Sequence, residues 1–351
     1  MKILNAIHAQ GIGGVEQVFC DYQQALEQSG HEVALLISQN ASQKNQKEYK
    51  AEKIFKLTNK SQITDFLKLS WIILSYKPDV IICHSRRLMK WSRILKIIFP
   101  KKIFKLKTIA INHGISFESS LHCDFIISIN NDIHDLVIAK NFDKNKSFVV
   151  NNAIEINQEY RQKKINKDSI VIGIYGRIEL RKGFDILLEA VKIVIANFPN
   201  IRVKIGGFEV NENYNLQTIK DIAQKLDLQN ICDFVGVVKN KKEFFNDVDI
   251  LAVPSREEPF GLVILEGFLH STLVISSDTE GGKLLINHEK NGLLFENENS
   301  QDLAKKIIGL LQDLSKYHLL TKQAYSKVEN EFSLANLRDN LQKVLFKIQQ
   351  Q

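Results

Sequence analysis

Two carboxylates with seven residues between them, Glu258 and Glu266, bracket the run Pro254-Ser255-Arg256-Glu257-Glu258-Pro259-Phe260-Gly261-Leu262-Val263-Ile264-Leu265-Glu266. Pro259 and Gly261 favour a loop after Glu258, and the apolar residues beyond predict a helix from near Leu262. Its first amides would face an anion, because backbone N–H groups there lack intrahelical partners. Glu266 falls about one turn into that helix, on the side of its first residue. One carboxylate can then bind sugar hydroxyls while the other takes a ribose diol. Upstream, Ile174-Tyr175-Gly176-Arg177 is followed by Arg181-Lys182-Gly183-Phe184-Asp185. A strand ending on Arg177, then Lys182 and a glycine opening a helix, make a grip for a diphosphate: arginine offers a bidentate fork, lysine a point charge.

Near the N-terminus, Gln10-Gly11-Ile12-Gly13-Gly14-Val15-Glu16 follows the first apolar run. Glycines at a helix start let amides approach a phosphate or a sugar, although a tight strand-to-helix turn has the same signature. The spacing departs from G-x-G-x-x-G, since Val15 and Glu16 stand where a third glycine belongs. Asp247-Val248-Asp249 has the form of a metal-binding pair but lies just before a strand, away from any nucleotide-binding context, so no metal site is assigned. Among the histidines, His113 follows a strand end and precedes Gly114, where a crevice loop belongs in an open α/β sheet. His84 and His8 are further candidates, and a structural turn is the competing reading for all three.

These residues need strands to carry them. Ile3–His8, Val33–Ser38, Val80–His84, Thr108–Asn112 and Phe125–Ile129 form one predicted series. Ile170–Tyr175, Ile201–Ile205, Ile231–Val235, Ile250–Pro254 and Leu273–Ser276 form a second. Most lack polar alternation, as strands covered on both faces of a parallel sheet do. Two successive βαβα series predict an α/β chain of two doubly wound domains. The polar stretch Gln158–Asp168 reads as the break, and lysine-rich Lys44–Lys60 as a solvated loop and helix edge. With 351 residues, 44% hydrophobic and 25% charged, the chain has the composition of an ordinary globular protein with room for two cores.

Four cysteines (Cys20, Cys83, Cys123 and Cys232) lack C-x-x-C or zinc-ligand spacing and read as buried free thiols of a reducing compartment. The apolar N-terminal run is too short for a signal peptide or a bilayer span, which predicts a cytoplasmic protein. The net charge of +7 is uneven: residues 1–151 hold 21 Lys and Arg against 13 Asp and Glu. That imbalance calls for an anionic partner of the first half. Residues 86–107 carry nine Lys and Arg and no acid, among them Lys90, Arg93, Lys101, Lys102 and Lys105. On a helical wheel Leu88, Trp91, Ile94, Leu95, Ile98 and Phe99 share one face. A basic amphipathic helix with aromatics can lie on anionic lipid, and the competing reading is a helix packed on the sheet with a solvated basic face.

The motifs together resemble the retaining glycosyltransferases of family 4, which have the GT-B fold. The pattern Gly-Arg, then Lys-Gly-x-Asp-x-Leu-Leu-x-Ala, is matched by Gly176-Arg177 and Lys182–Ala190. The Pro-Ser, Glu, Phe-Gly-Leu, Glu block is matched by 254–266, and the later Gly-Gly and Asn-Gly-Leu-Leu by Gly281-Gly282 and Asn291–Leu294. Weaker marks are Gly13-Gly14-Val15-Glu16, His84-Ser85, His113-Gly114 and Asn152-Ala153-Ile154-Glu155. One departure is Glu266-Gly267-Phe268-Leu269-His270-Ser271-Thr272-Leu273-Val274-Ile275, which lacks the family's glycine and proline before Val-Ile.

The resemblance implies two Rossmann-like domains facing each other across a cleft. Residues 1–155 would form the acceptor-side domain, 156–168 the linker, 169–330 the donor-binding domain, and 331–351 a C-terminal helix returning to the first domain. It implies transfer from a nucleoside diphosphate sugar, with a UDP or GDP donor, to a glycan or glycolipid acceptor, with retention and with neither cofactor nor metal. Arg177, Lys182, Glu258 and His113 would be catalytic. Gly13, Gly14, Gly206, Gly207, Phe260, Gly261, Leu262 and Glu266 would bind the donor. Lys90, Trp91, Arg93, Lys101, Lys102 and Lys105 would meet an anionic membrane on the cytoplasmic side, in cell-envelope polysaccharide, lipopolysaccharide or glycolipid synthesis. No nucleic acid is expected as a partner. The alternatives are a nucleotide-sugar epimerase of the same fold and a non-catalytic nucleotide-sugar-binding membrane partner.

Overall fold

The computed structural model describes residues 1–8, 13–39, 51–58, 61–99, 105–166, 168–210 and 213–351. The chain divides into two compact units, 1–155 with 332–351, and 156–331.

The first unit holds a seven-stranded sheet of β1 (Lys2–Ala6), β2 (Glu32–Ser38), β3 (Lys53–Leu57), β4 (Val80–Cys83), β5 (Lys107–Asn112), β6 (Phe125–Ser128) and β7 (Ser147–Val149), in the order β3-β2-β1-β4-β5-β6-β7. Every pairing is parallel. Its inner strands bury nearly every side chain because helices cover both faces, which is why they read as unbroken apolar runs. Leu69, Ile72 and Ile73 of helix Gln62–Tyr76 share one core with Leu88, Trp91 and Leu95 of helix Arg86–Ile98. The C-terminal helix Leu334–Gln349 packs on helix Gly14–Gln28 in this unit. Lys107 Nζ donates to the Ile348 carbonyl at 2.5 Å.

The second unit holds β8 (Val171–Ile178), β9 (Arg202–Glu209), β10 (Cys232–Gly236), β11 (Ile250–Val253), β12 (Leu273–Ser277) and β13 (Leu293–Phe295), in the order β10-β9-β8-β11-β12-β13. They too are all parallel. In each sheet the order reverses once, between β1 and β4 and between β8 and β11. Crevices for ligands open at such points, beyond the carboxyl ends of the strands.

Three strands escaped the sequence reading: β3, β7 and β13. Each is a sheet edge, paired on one side only, so none needs a long apolar run. Lysine-rich 44–60 was expected as loop and helix edge, yet within it Lys53–Leu57 is strand, with Lys53 and Lys56 as the charges an exposed edge tolerates. The stretch expected as a linker is tied into the second unit. Gln158 Nε2 donates to the Leu269 carbonyl, and Lys163 Nζ to the carbonyls of Phe245 and Val248, at 2.6–2.9 Å. All four cysteines are free; Cys83 and Cys123 are buried, Cys20 and Cys232 half-buried. Among the described residues no helix is long and apolar enough to cross a membrane.

Candidate functional site

At the reversal point of the second sheet, β8 delivers Arg177 and β11 runs into Pro254 and the loop beyond. A 3-10 turn, Leu180–Lys182, leads through Gly183 into helix Phe184–Val194. Gly183 has φ 68°, and a Cβ there would stand 1.9 Å from the Pro254 carbonyl oxygen. Glycine is what lets the lysine turn lie against the 254–261 loop. Arg256 locks the two together. Its amide donates to the Arg181 carbonyl at 2.8 Å, and its guanidinium to the Leu180 carbonyl at 2.7 Å and to both oxygens of Asp185 at 2.7 and 3.0 Å.

Lys182 Nζ thereby comes 2.6 Å from Glu258 Oε2, with side chains 18% and 11% exposed. Burial by itself would raise the Glu258 pKa. The Lys182 ammonium, the charge of Arg181 and the Gly261 amide outweigh it and hold the carboxyl below its ordinary value. Arg177 and Arg181 share Glu179, at 3.4 and 2.7 Å. Gly261, at φ 93°, turns the chain into helix Leu262–Leu269, the start that the spacing predicted. Among the described residues the amides of Leu262 and Val263 make no hydrogen bond, so the helix opens on two unused donors. Gly281 supports this loop from behind. Its amide donates to the Glu258 carbonyl at 2.8 Å, and a Cβ there would stand 2.5 Å from the Phe260 carbonyl oxygen.

Glu266 is buried and its Oε1 pairs with Lys241 Nζ, at the first residue of helix Lys241–Asp247. Lys241 was not singled out from sequence; the only signal was a Lys-Lys pair opening a helix after β10. Gly206 and Gly207 lie within β9 where no side chain fits: a Cβ would stand 2.4 Å from Val238, just beyond β10, on the first and 2.6 Å from the Gly176 carbonyl oxygen of β8 on the second. Ser271, within the family-atypical stretch, has φ 53°, and its hydroxyl accepts the Arg161 amide at 3.2 Å. Asp247 and Asp249 are occupied otherwise. Asp247 pairs with Lys204, and Asp249 Oδ2 accepts the Val171 amide.

In the first unit, histidines gather at the carboxyl ends of β1, β4 and β5. His84 Nδ1 lies 3.2 Å from His113 Nε2, and His84 stands edge-on to Phe19 and Tyr22 at ring distances of 5.4 and 5.0 Å. Burial holds the His113 pKa down to about 4, and burial followed by the charge of His113 holds His84 lower than its ordinary value. Both rings are neutral at pH 7. His8 Nε2 meets Arg87 Nη1 at 2.7 Å. Gly13 caps helix Gly14–Gln28, with its backbone extended, at the position the glycine run predicted.

The basic segment needs a correction. Helix Arg86–Ile98 buries Leu88, Met89, Trp91 and Leu95, while Ile94 and Ile98, which the helical wheel groups with Leu88, Trp91 and Leu95, are exposed. Trp91 is 6% exposed and packs edge-on against Phe66, so it is a core residue and not a membrane contact. Lys90, Arg93 and Lys105 are exposed; Lys101 and Lys102 lie outside the described residues.

Two family models match this chain: Glycosyl transferases group 1 over residues 155–327, and Glycosyltransferase Family 4 over residues 12–158. An uncharacterized glycosyltransferase of Methanocaldococcus jannaschii is 24% identical over 240 residues, 64% of this chain and 60% of its own length. The lipopolysaccharide core biosynthesis glycosyltransferase LpsE of Rhizobium meliloti is 28% identical over 172 residues, 49% of this chain and 48% of its own length. The chain thus spans between about a third and three-fifths of the length of the curated relatives it matches. Among solved structures, HepE of Anabaena in complex with UDP and glucose superposes with a TM-score of 0.84 at 19% identity, covering 98% of this chain and 99% of that one.

Proposed function

Because the chain belongs to the group 1 glycosyl transferases and has their GT-B fold, we propose that it moves a sugar from a nucleoside diphosphate sugar to an acceptor hydroxyl, with the anomeric configuration retained. The observation that carries this reading is the gathering of Arg177, Lys182, Glu258 and the open amides of Leu262 and Val263 at the reversal point of the second sheet. Such a site answers the electrostatic problem of the reaction, a diphosphate leaving from an oxocarbenium-like sugar.

Arg177 and Lys182, held in the free protein by Glu179 and Glu258, neutralise the phosphate charge as the C1–O bond breaks. The amides at the helix start add their dipoles. Glu258 accepts hydrogen bonds from donor-sugar hydroxyls, and Glu266, steadied by Lys241, takes the ribose diol. The acceptor oxygen bonds to C1 on the face the phosphate leaves, and its proton passes to a phosphate oxygen. Neutral His113 serves as a hydrogen-bond partner for a sugar hydroxyl. The cations replace a metal, and no cofactor takes part. UDP or GDP is the donor nucleotide, and the acceptor is an envelope polysaccharide, lipopolysaccharide or glycolipid at the cytoplasmic face of a membrane. The name of the Rhizobium relative supports this choice.

The test is donor hydrolysis and transfer by purified protein, after a thermal-shift screen of UDP, GDP and ADP. Arg177→Ala and Lys182→Ala should each lower turnover about 10²-fold, the scale of one lost transition-state donor, and chelator should leave it unchanged. Turnover of both variants within about twofold of wild type would remove these cations from the reaction. Complete loss with EDTA, restored by Mn²⁺, would return attention to Asp247 and Asp249. Conversion of the donor to its epimer without transfer would favour an epimerase.

A further inference from the structure

A helix that covers a sheet needs one apolar face, yet helix Gln62–Tyr76 has two. Leu69, Ile72, Ile73 and Tyr76 point into the core. On the opposite side Ile63, Leu67, Trp71 and Leu74, spaced four, four and three residues apart, form an exposed stripe; Ile63 is 74% and Trp71 61% exposed. The neighbouring helix Arg86–Ile98 adds Ile94, Ile97 and Ile98, with Ile97 75% exposed, among the exposed cations Arg86, Lys90 and Arg93. The two helices are joined through Phe66 on Trp91, at a ring distance of 5.6 Å, and through Arg87 and Asp65, 3.9 Å apart. Asp65 is the sole acid on either helix, and it is fully buried, accepting the amide and hydroxyl of Thr58. The outer surface therefore presents seven large apolar side chains and three exposed cations, without an acid.

The geometry points to this surface as a docking face for an anionic lipid bilayer. Leu67 and Trp71 enter the boundary between headgroups and acyl chains, while Arg86, Lys90 and Arg93 meet lipid phosphates. Three arguments choose the occupant. Apolar side chains intermixed with cations suit an interface that is oily below and anionic above. Tryptophan settles at that level of a bilayer, because its ring is apolar and its N–H polar. A second copy in a two-fold dimer would set the same cations against each other, which opposes association. The surface deepens the membrane-side acceptor of the proposed function and rests on that reading for its purpose, but its measurement requires no turnover.

Trp71 and Trp91 are the two tryptophans of the chain, and Trp91 is buried, so Trp71 reports on this face. Mixed with phosphatidylcholine vesicles containing phosphatidylglycerol at low salt, the protein should show blue-shifted emission and protection from an aqueous quencher. Pure phosphatidylcholine, or salt near 1 M, where the Debye length falls to about 3 Å, should abolish the shift. Co-sedimentation of Leu67→Glu/Trp71→Glu should fall at least about 100-fold, since burying each side chain is worth about tenfold or more. Lys90→Glu/Arg93→Glu should lose at least about 25-fold, at about fivefold per cation removed from an anionic surface, with the added carboxylates repelled further. All four positions are exposed, so unfolding midpoints and the shift induced by UDP should match wild type. Absence of wild-type binding to anionic vesicles at low salt would overturn the proposal, as would equal binding by wild type and both variants. So would a solution dimer that Leu67→Glu/Trp71→Glu dissolves while vesicles stay unbound, because the face then belongs to a second copy. Failure here with intact UDP binding and turnover would leave the proposed function standing.

Discussion

Replacing Lys182 with methionine separates what the lysine does for the fold from what it does for a donor. Lys182 Nζ and Glu258 Oε2 lie 2.6 Å apart with both side chains largely buried. At an effective dielectric of about 20 their attraction is about 6 kcal/mol. Desolvating the two ions costs several kcal/mol each, so the pair has little net worth. Removing one partner keeps the cost and loses the attraction, about 3 kcal/mol or more for a buried pair. Arg181 and the Gly261 amide still face Glu258, so Lys182→Met should lose about 2 kcal/mol. Glu258→Gln should cost only about 1 kcal/mol, because Lys182 can swing its ammonium into water. In the double variant neither ion is stranded, and a coupling energy of about 1–2 kcal/mol should return. The deficit of Lys182→Met should also shrink in acid. Its uncompensated Glu258 has a raised pKa, and protonation removes the buried charge that destabilises the fold. Urea unfolding of the four proteins at pH 7 and pH 4.5, with turnover of a UDP-sugar, tests this. A loss under about 0.5 kcal/mol for Lys182→Met would refute the buried pair. A double variant that regained turnover would refute the role of Lys182 in holding the diphosphate.

Two further outcomes follow from the geometry. Gly183→Ala, whose Cβ would stand 1.9 Å from the Pro254 carbonyl oxygen at φ 68°, should cost about 2 kcal/mol or more and weaken UDP binding; a thermal shift by UDP equal to that of wild type would show that the lysine turn need not abut the loop. Acid should weaken the fold. His113 and His270 have folded pKa values of about 4, lowered chiefly by burial from 6.5, so the unfolded chain takes up protons first. Stability should be complete above about pH 6.5 and decline towards pH 4. His270→Gln should flatten that decline, because neutral His270 Nδ1 accepts the Gln158 side-chain amide at 3.0 Å; an unfolding midpoint independent of pH between 7 and 4.5 would count against it.

Local sequence settled whatever depends on neighbours along the chain. Strands buried on both faces must be continuous in Ile, Val and Leu, so the inner strands of both sheets were legible, as was the helix start after Gly261. Arg177, Lys182, Glu258 and Glu266 could be singled out because each sits in a short motif. The edge strands β3, β7 and β13 were not, since a strand bonded on one side can be short and carry lysines. Pairings across the fold were hidden for another reason. Lys182 meets Glu258 across 76 positions, and Lys241 meets Glu266 across 25, through parallel strand register and loop packing that no local spacing records. Helical periodicity groups residues into arcs but does not say which arc the sheet covers. It grouped Ile94 and Ile98 with Leu88, Trp91 and Leu95. Packing of Leu88, Met89, Trp91 and Leu95 turned them out, beside the apolar stripe of a helix whose two faces only the tertiary structure could tell apart.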